Sequence, residues 1–246
     1  MRNHILVFFL AATLAGVGAR TAGASPVAGL PAPTIDINGT PLDAAALGCA
    51  SPGGGGPTFC SGTGLTGTGF LLSDWSFLLN PDPSITSNFT LTNISAVTQP
   101  YILTITLPIA LVGPAISITG STGGALTDLN ANGATATDNG AAIYSARVNG
   151  TSLQTLLDPP QLFVAPVNPT GGPSSVPIGP VGFGPTVLPQ SADVNMSMRI
   201  QFTLTPGDQV QLTSVFDIQP AQIPEPGTVL LLGSGLAGLV AFRRRV

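Results

Sequence analysis

The feature that most limits what this chain can fold into is two-residue alternation, repeated along a body rich in threonine, serine and asparagine. In the segment PSITSNFTLTN, Ile85, Phe89 and Leu91 fall on one face with Ser87 between them, while Thr86, Asn88, Thr90 and Thr92 fall on the other. Tyr101, Leu103, Ile105 and Leu107 repeat the pattern until Pro108 stops it. Successive side chains of a strand point to opposite faces, so this period predicts half-buried strands with Thr and Ser on the wet side. The loop 94–100 between these two segments suits an antiparallel connection. Asn149-Gly150, flanked by AIYSARV and TSLQTLL, is a strong two-residue hairpin signal because both residues tolerate positive φ. The clearest hairpin is expected from Val194, Met196, Met198, Ile200, Phe202 and Leu204, turned by TPGD and returned by Val210, Leu212, Phe216 and Ile218. Together these segments predict a mainly β fold, an antiparallel β-sandwich body spanning residues 25–222.

Two stretches interrupt the pattern. Residues 158–189 are dense in proline and glycine; proline lacks the donor a ladder needs, so an irregular or extended crossing with short edge pieces is expected. A domain linker is the alternative, but the residues after it form about two strands, too few to stand alone, and are expected to complete the sheet begun earlier. Residues 121–142 read as a polar Gly/Asn/Thr loop. Within it Asp128, Asn130, Asn132 and Gly133 match the first half of a D-x-[DN]-x-[DN]-G calcium loop, and Asp138 stands next to the twelfth position, which is Asn139 rather than a bidentate Glu. The metal reading is therefore Asp128, Asn130, Asn132 and Asp138. A cluster of β-turns using Asn and Asp for local backbone bonds is the alternative, and no other cofactor is indicated.

Both ends of the chain are apolar. Arg2, the run Ile5 to Ala19 and the small-residue pattern Ala22-Gly23-Ala24 make residues 1–24 a signal peptide with a signal helix, cleaved after Ala24. An uncleaved anchor is the alternative, disfavoured because the apolar run is shorter than the roughly 20 residues a spanning helix needs. Export explains the cysteines: Cys49 and Cys60 are the only two, separated by a flexible Gly-rich loop, and an oxidising compartment preserves a disulfide between them. Closing so small a ring stabilises by roughly 3 kcal/mol at most. Two free thiols are the other reading.

Charge excludes several functions. Ten aspartates against Arg147 and Arg199 leave residues 25–222 with a net charge of minus eight, which repels phosphate backbones and disfavours nucleic acid. The only histidine is His4, inside the signal, and the chain has no lysine. The mature protein thus has no histidine for a nucleophile system and no lysine for a Schiff base, and no enzymatic activity is expected. Paired carboxylates for glycoside hydrolysis remain formally open, but no spacing places two aspartates together. Trp75, Tyr101 and Tyr144 would be the aromatic platform of a carbohydrate-binding module, although alternation allows each to be core. Five Asn-x-Ser/Thr sequons, at Asn38, Asn88, Asn93, Asn149 and Asn195, would be the acceptors if the chain is glycosylated.

The last segment, residues 223–246, has its own logic. After IPEPG, the fifteen uncharged residues Thr228 to Phe242 would extend roughly 22 Å as a hydrophobic helix, and Arg243, Arg244 and Arg245 would hold its far end in the cytoplasm. The order Pro-Glu-Pro, apolar helix, arginine cluster closely resembles the PEP-CTERM sorting signal of exported bacterial proteins. The resemblance implies that Pro224, Glu225 and Pro226 are the recognition motif for an exosortase, a membrane-embedded protease, and that the tail is a transmembrane anchor removed at sorting. It also implies a membrane-anchored precursor that becomes a cell-surface or extracellular-matrix protein of a polysaccharide-producing Gram-negative bacterium, with exopolysaccharide a candidate partner. It implies no activity. A structural, non-enzymatic role is expected, with a carbohydrate- or calcium-binding adhesin-like sandwich as the alternative.

Overall fold

Alternation of buried and exposed side chains runs through almost every long strand of the computed structural model, which describes residues 31–51, 56–110 and 112–221. The signal segment, the sorting tail and residues 25–30 and 222 of the body lie outside the described residues. The first half of the chain forms β1 (Thr34–Ile37), β2 (Thr40–Pro41), β3 (Cys49–Ala50), β4 (Thr58–Gly62), β5 (Leu65–Gly67), β6 (Phe70–Asn80), β7 (Ser84–Asn93) and β8 (Gln99–Pro108). The second half forms β9 (Ile116–Asp128), β10 (Ala134–Thr137), β11 (Tyr144–Val148), β12 (Thr151–Leu156), β13 (Leu162–Ala165), β14 (Ser174–Leu188), β15 (Asn195–Leu204) and β16 (Gln209–Pro220). There is no helix among the described residues.

These strands make two antiparallel sheets. The first has the order β12-β11-β15-β8-β1-β2, with β10 pairing both β15 and β13; the second runs β14-β9-β16-β7-β6-β4-β3, with β5 on β6. The sheets face each other across one core, to which the second contributes Phe77, Phe89 and Phe216 and the first Tyr101, Ile105 and Tyr144. Polar atoms that enter this core find partners across it. The Tyr144 hydroxyl donates to the Val215 carbonyl at 2.9 Å, and the Ser87 hydroxyl donates to the Met198 sulfur at 3.6 Å. The second bond explains why a serine interrupts the apolar row of β7: it is buried but satisfied.

Several expectations change once partners are known. β7 and β8 do not pair; β7 lies between β6 and β16, and β8 between β15 and β1. The loop 94–98 therefore crosses from one sheet to the other. The same holds for β15 and β16, expected as the clearest hairpin: β15 is central in the first sheet and β16 in the second. Alternation names the buried face of each strand, and two strands facing one core from opposite sheets carry the same pattern as a hairpin. Val194, assigned to the buried row, precedes β15 and is 60% exposed.

The two stretches expected as loops are largely strand. β9 takes up Ser121 to Asp128, its glycines lying flat where β14 and β16 flank it. The proline-rich segment supplies β14, fifteen residues long, on the edge of the second sheet. Its ladder shifts register between Ile178 and Val181 and between Phe183 and Thr186, so Gly179-Pro180 and Gly184-Pro185 sit in bulges. An edge strand needs donors on one side only, and bulges absorb the prolines that a central strand would reject. The residues after this segment do complete the architecture, by supplying a central strand to each sheet.

Candidate functional site

Cys49 and Cys60 stand directly opposite each other on β3 and β4 and form a disulfide. The bridge fastens a two-residue strand at the sheet edge, beside Leu47, whose carbonyl accepts the Trp75 indole N–H at 3.0 Å. Trp75, Tyr101 and Tyr144 are all core residues, at 3%, 1% and 0% exposure, so none offers a stacking surface to a sugar. Two concave features lie elsewhere. One, about 220 Å³, is apolar and lined by Ile35, Leu42, Leu47 and the disulfide. The other, about 630 Å³, runs over β9, β14 and β16 past Gly123, Pro180 and Thr213, and no charged or aromatic side chain lines it.

Of the expected metal ligands, Asp128, Asn130 and Asn132 lie in one turn tied by backbone hydrogen bonds, and Asp138 does not join them. Asp128 ends β9 and is buried; its carboxylate accepts the Asn130 N–H at 3.2 Å and the Gly133 N–H at 2.8 Å. Asn130 turns its amide to the Pro206 carbonyl at 3.0 Å, and its oxygen accepts the Asn132 N–H at 3.2 Å. Asp138 sits beyond the far end of β10, where it accepts the N–H groups of Gly140 and Gln161. A four-residue strand, about 13 Å long, separates the two aspartates. The spacing of a calcium loop assumes a continuous coil, and β10 straightens the chain between its halves.

What does face Asp128 is Asp208, which sequence spacing had no means of finding, since the two stand 80 positions apart. Asp208 is fully buried; burial pushes its carboxyl above the usual range, the Thr205 hydroxyl pulls it down, and the Asp128 charge pushes it up again. No group of three or more His, Cys, Asp or Glu residues gathers among the described residues.

The sequons are mostly occupied by structure. Asn93 is fully buried, and the oxygens of Asn38 and Asn149 accept backbone N–H groups from Ile102 and Val194. Asn88 is the exposed member of the set with no such bond.

The tail decides the wider reading. Residues 222–245 match the family model described as the PEP-CTERM protein-sorting motif. This chain carries a PEP-CTERM sorting signal. Proteins with that motif are exported, hold a membrane-anchored sorting signal and are processed by exosortase, a membrane protein, on the way to the cell surface. Pro224, Glu225, Pro226 and Arg243 to Arg245 all fall within the matched residues. No curated protein matches the chain.

Proposed function

We propose that the body is a structural, non-enzymatic module delivered to the cell surface or extracellular matrix, with exopolysaccharide as its surroundings and candidate partner. The match of the tail to the PEP-CTERM motif carries this reading, because it gives the chain a destination. Its support in the body is chemical. The chain has no lysine and no histidine after His4, and Asp138 spends both its oxygens on turn N–H groups. The sugar-binding alternative loses Trp75, Tyr101 and Tyr144 as a platform, since all three are buried.

In this reading Pro224, Glu225 and Pro226 are read by the exosortase, while Thr228 to Phe242 and the arginines only hold the precursor in the membrane. Glu225→Ala should therefore leave export intact and trap the precursor in the membrane fraction. Fractionation and immunoblotting in the native host checks this. A variant processed and released like the wild type would contradict the proposal.

A further inference from the structure

Where β9 gives way to β10 and β15 to β16, two carboxyl groups are buried that no described basic residue neutralises. The ladder between β16 and β9 stops at Gln209 opposite Thr127, and Asp208 and Asp128 are the next residues along the two segments, close enough for the Asp128 charge to act on Asp208. Both are fully buried, and like charges directly opposite each other repel. Asp128 at least holds two backbone N–H groups. Asp208 has less: one oxygen accepts the Thr205 hydroxyl and the Leu129 N–H lies beside the carboxylate, but buried Oδ1 has no donor in hydrogen-bond geometry. A buried carboxylate oxygen without a donor is unfavourable unless a proton or a cation supplies what the protein does not.

Among the described residues no cation stands here. The chain has no lysine, and its two arginines among the described residues are engaged elsewhere: Arg147 donates to the Gly150 carbonyl, and Arg199 lies in the first sheet, where its charge acts on Asp36. We propose that Asp128 and Asp208 are the carboxylate ligands of a divalent-cation site of the oxygen-donor type that calcium prefers. Calcium accepts six to eight oxygens in flexible geometry, so loop carbonyls and water complete the shell. Two carboxylates place the site in the weak class, with affinities near the millimolar range, that serves extracellular modules. Leu129 and Asn130, which follow Asp128, are exposed, so the pair lies next to the surface at the end of the sheets. A cation there would tie the β9–β10 turn to the β15–β16 crossing at the end of the second sheet. The site stands apart from the sorting reading.

The test uses the full-length protein in detergent. Calcium chloride at about 10 mM should raise Tm by about 3–6 °C for a millimolar site, and calorimetric titration with calcium should show one saturable site. Asp208→Asn, which keeps the shape and removes the repulsion, should fold and abolish the rise, while Asp138→Asn should keep it. No saturable calcium binding by the wild type, or a rise that survives Asp208→Asn, would overturn the proposal.

Discussion

Two turns of this molecule join strands that are consecutive in the chain and do opposite things. Asn149-Gly150 connects β11 to β12 as a hairpin, with Val148 paired to Thr151 and positive φ at both turn residues. Thr205 to Asp208 connects β15 to β16 and carries the chain across the core from one sheet to the other. The difference lies in what surrounds each turn. The hairpin is local, at the outer edge of the first sheet, and its geometry comes from residues that accept left-handed backbone. The crossing is held from a distance by Asn93, whose amide donates to the Leu204 and Val97 carbonyls at 2.8 and 3.0 Å, and whose backbone pairs with Gly207 and Asp208. A hairpin is written in its two central residues; a crossing is written in a residue more than a hundred positions away.

The largest effect should therefore come from that distant residue. Asn93→Ala leaves the Leu204 carbonyl unpaired at the core and removes the acceptor for Ser95, at a cost of about 3 kcal/mol. Thermal denaturation should show Tm falling by about 6–12 °C. A fall no larger than that of a surface substitution would break the comparison.

Gly150→Ala should be milder. A Cβ there meets nothing within 4 Å, so the cost is the left-handed backbone alone, about 1 kcal/mol, read as a few degrees of Tm. Equal losses at Asn93 and Gly150 would mean that the crossing is no more deeply anchored than the hairpin.

The smallest effect concerns pH. Burial raises the carboxyl of Asp36, against the Gly39 N–H and the Arg199 charge, and burial raises that of Asp217, with Asp82 adding to the rise. A carboxyl raised in the folded state binds its proton more tightly there than in the unfolded chain. Its contribution is complete below the ordinary value near 3.9 and is lost as pH climbs through the folded value. Tm should thus increase on going from pH 7 towards 4, and Asp217→Asn on β16 should flatten that increase. A wild-type Tm that falls over the same range would contradict this assignment.

Legibility in the sequence followed the same division. The buried rows of β7, β8 and β15 and the Asn149-Gly150 hairpin were readable because periodicity and turn chemistry are local. The partners of β7, β8, β15 and β16 were not, because an apolar row facing one core looks the same from either sheet. Prolines hid β14, since nothing local distinguishes a bulged edge strand from a loop. Glycines and threonines hid β9 between two strands. Asp208 was invisible for a different reason: it looks like an ordinary turn aspartate until β16 is placed against β9. The tail was the most legible part, because a protease recognises a short contiguous stretch rather than a surface assembled by folding.

The central claim is that the body is delivered by a tail it does not keep, and intact-mass spectrometry of the mature protein from its native host tests it most directly. The account predicts a species that ends near Pro226 and lacks Thr228 to Val246, with the Cys49–Cys60 disulfide present. A mature species that still carries Arg243, Arg244 and Arg245 would contradict it.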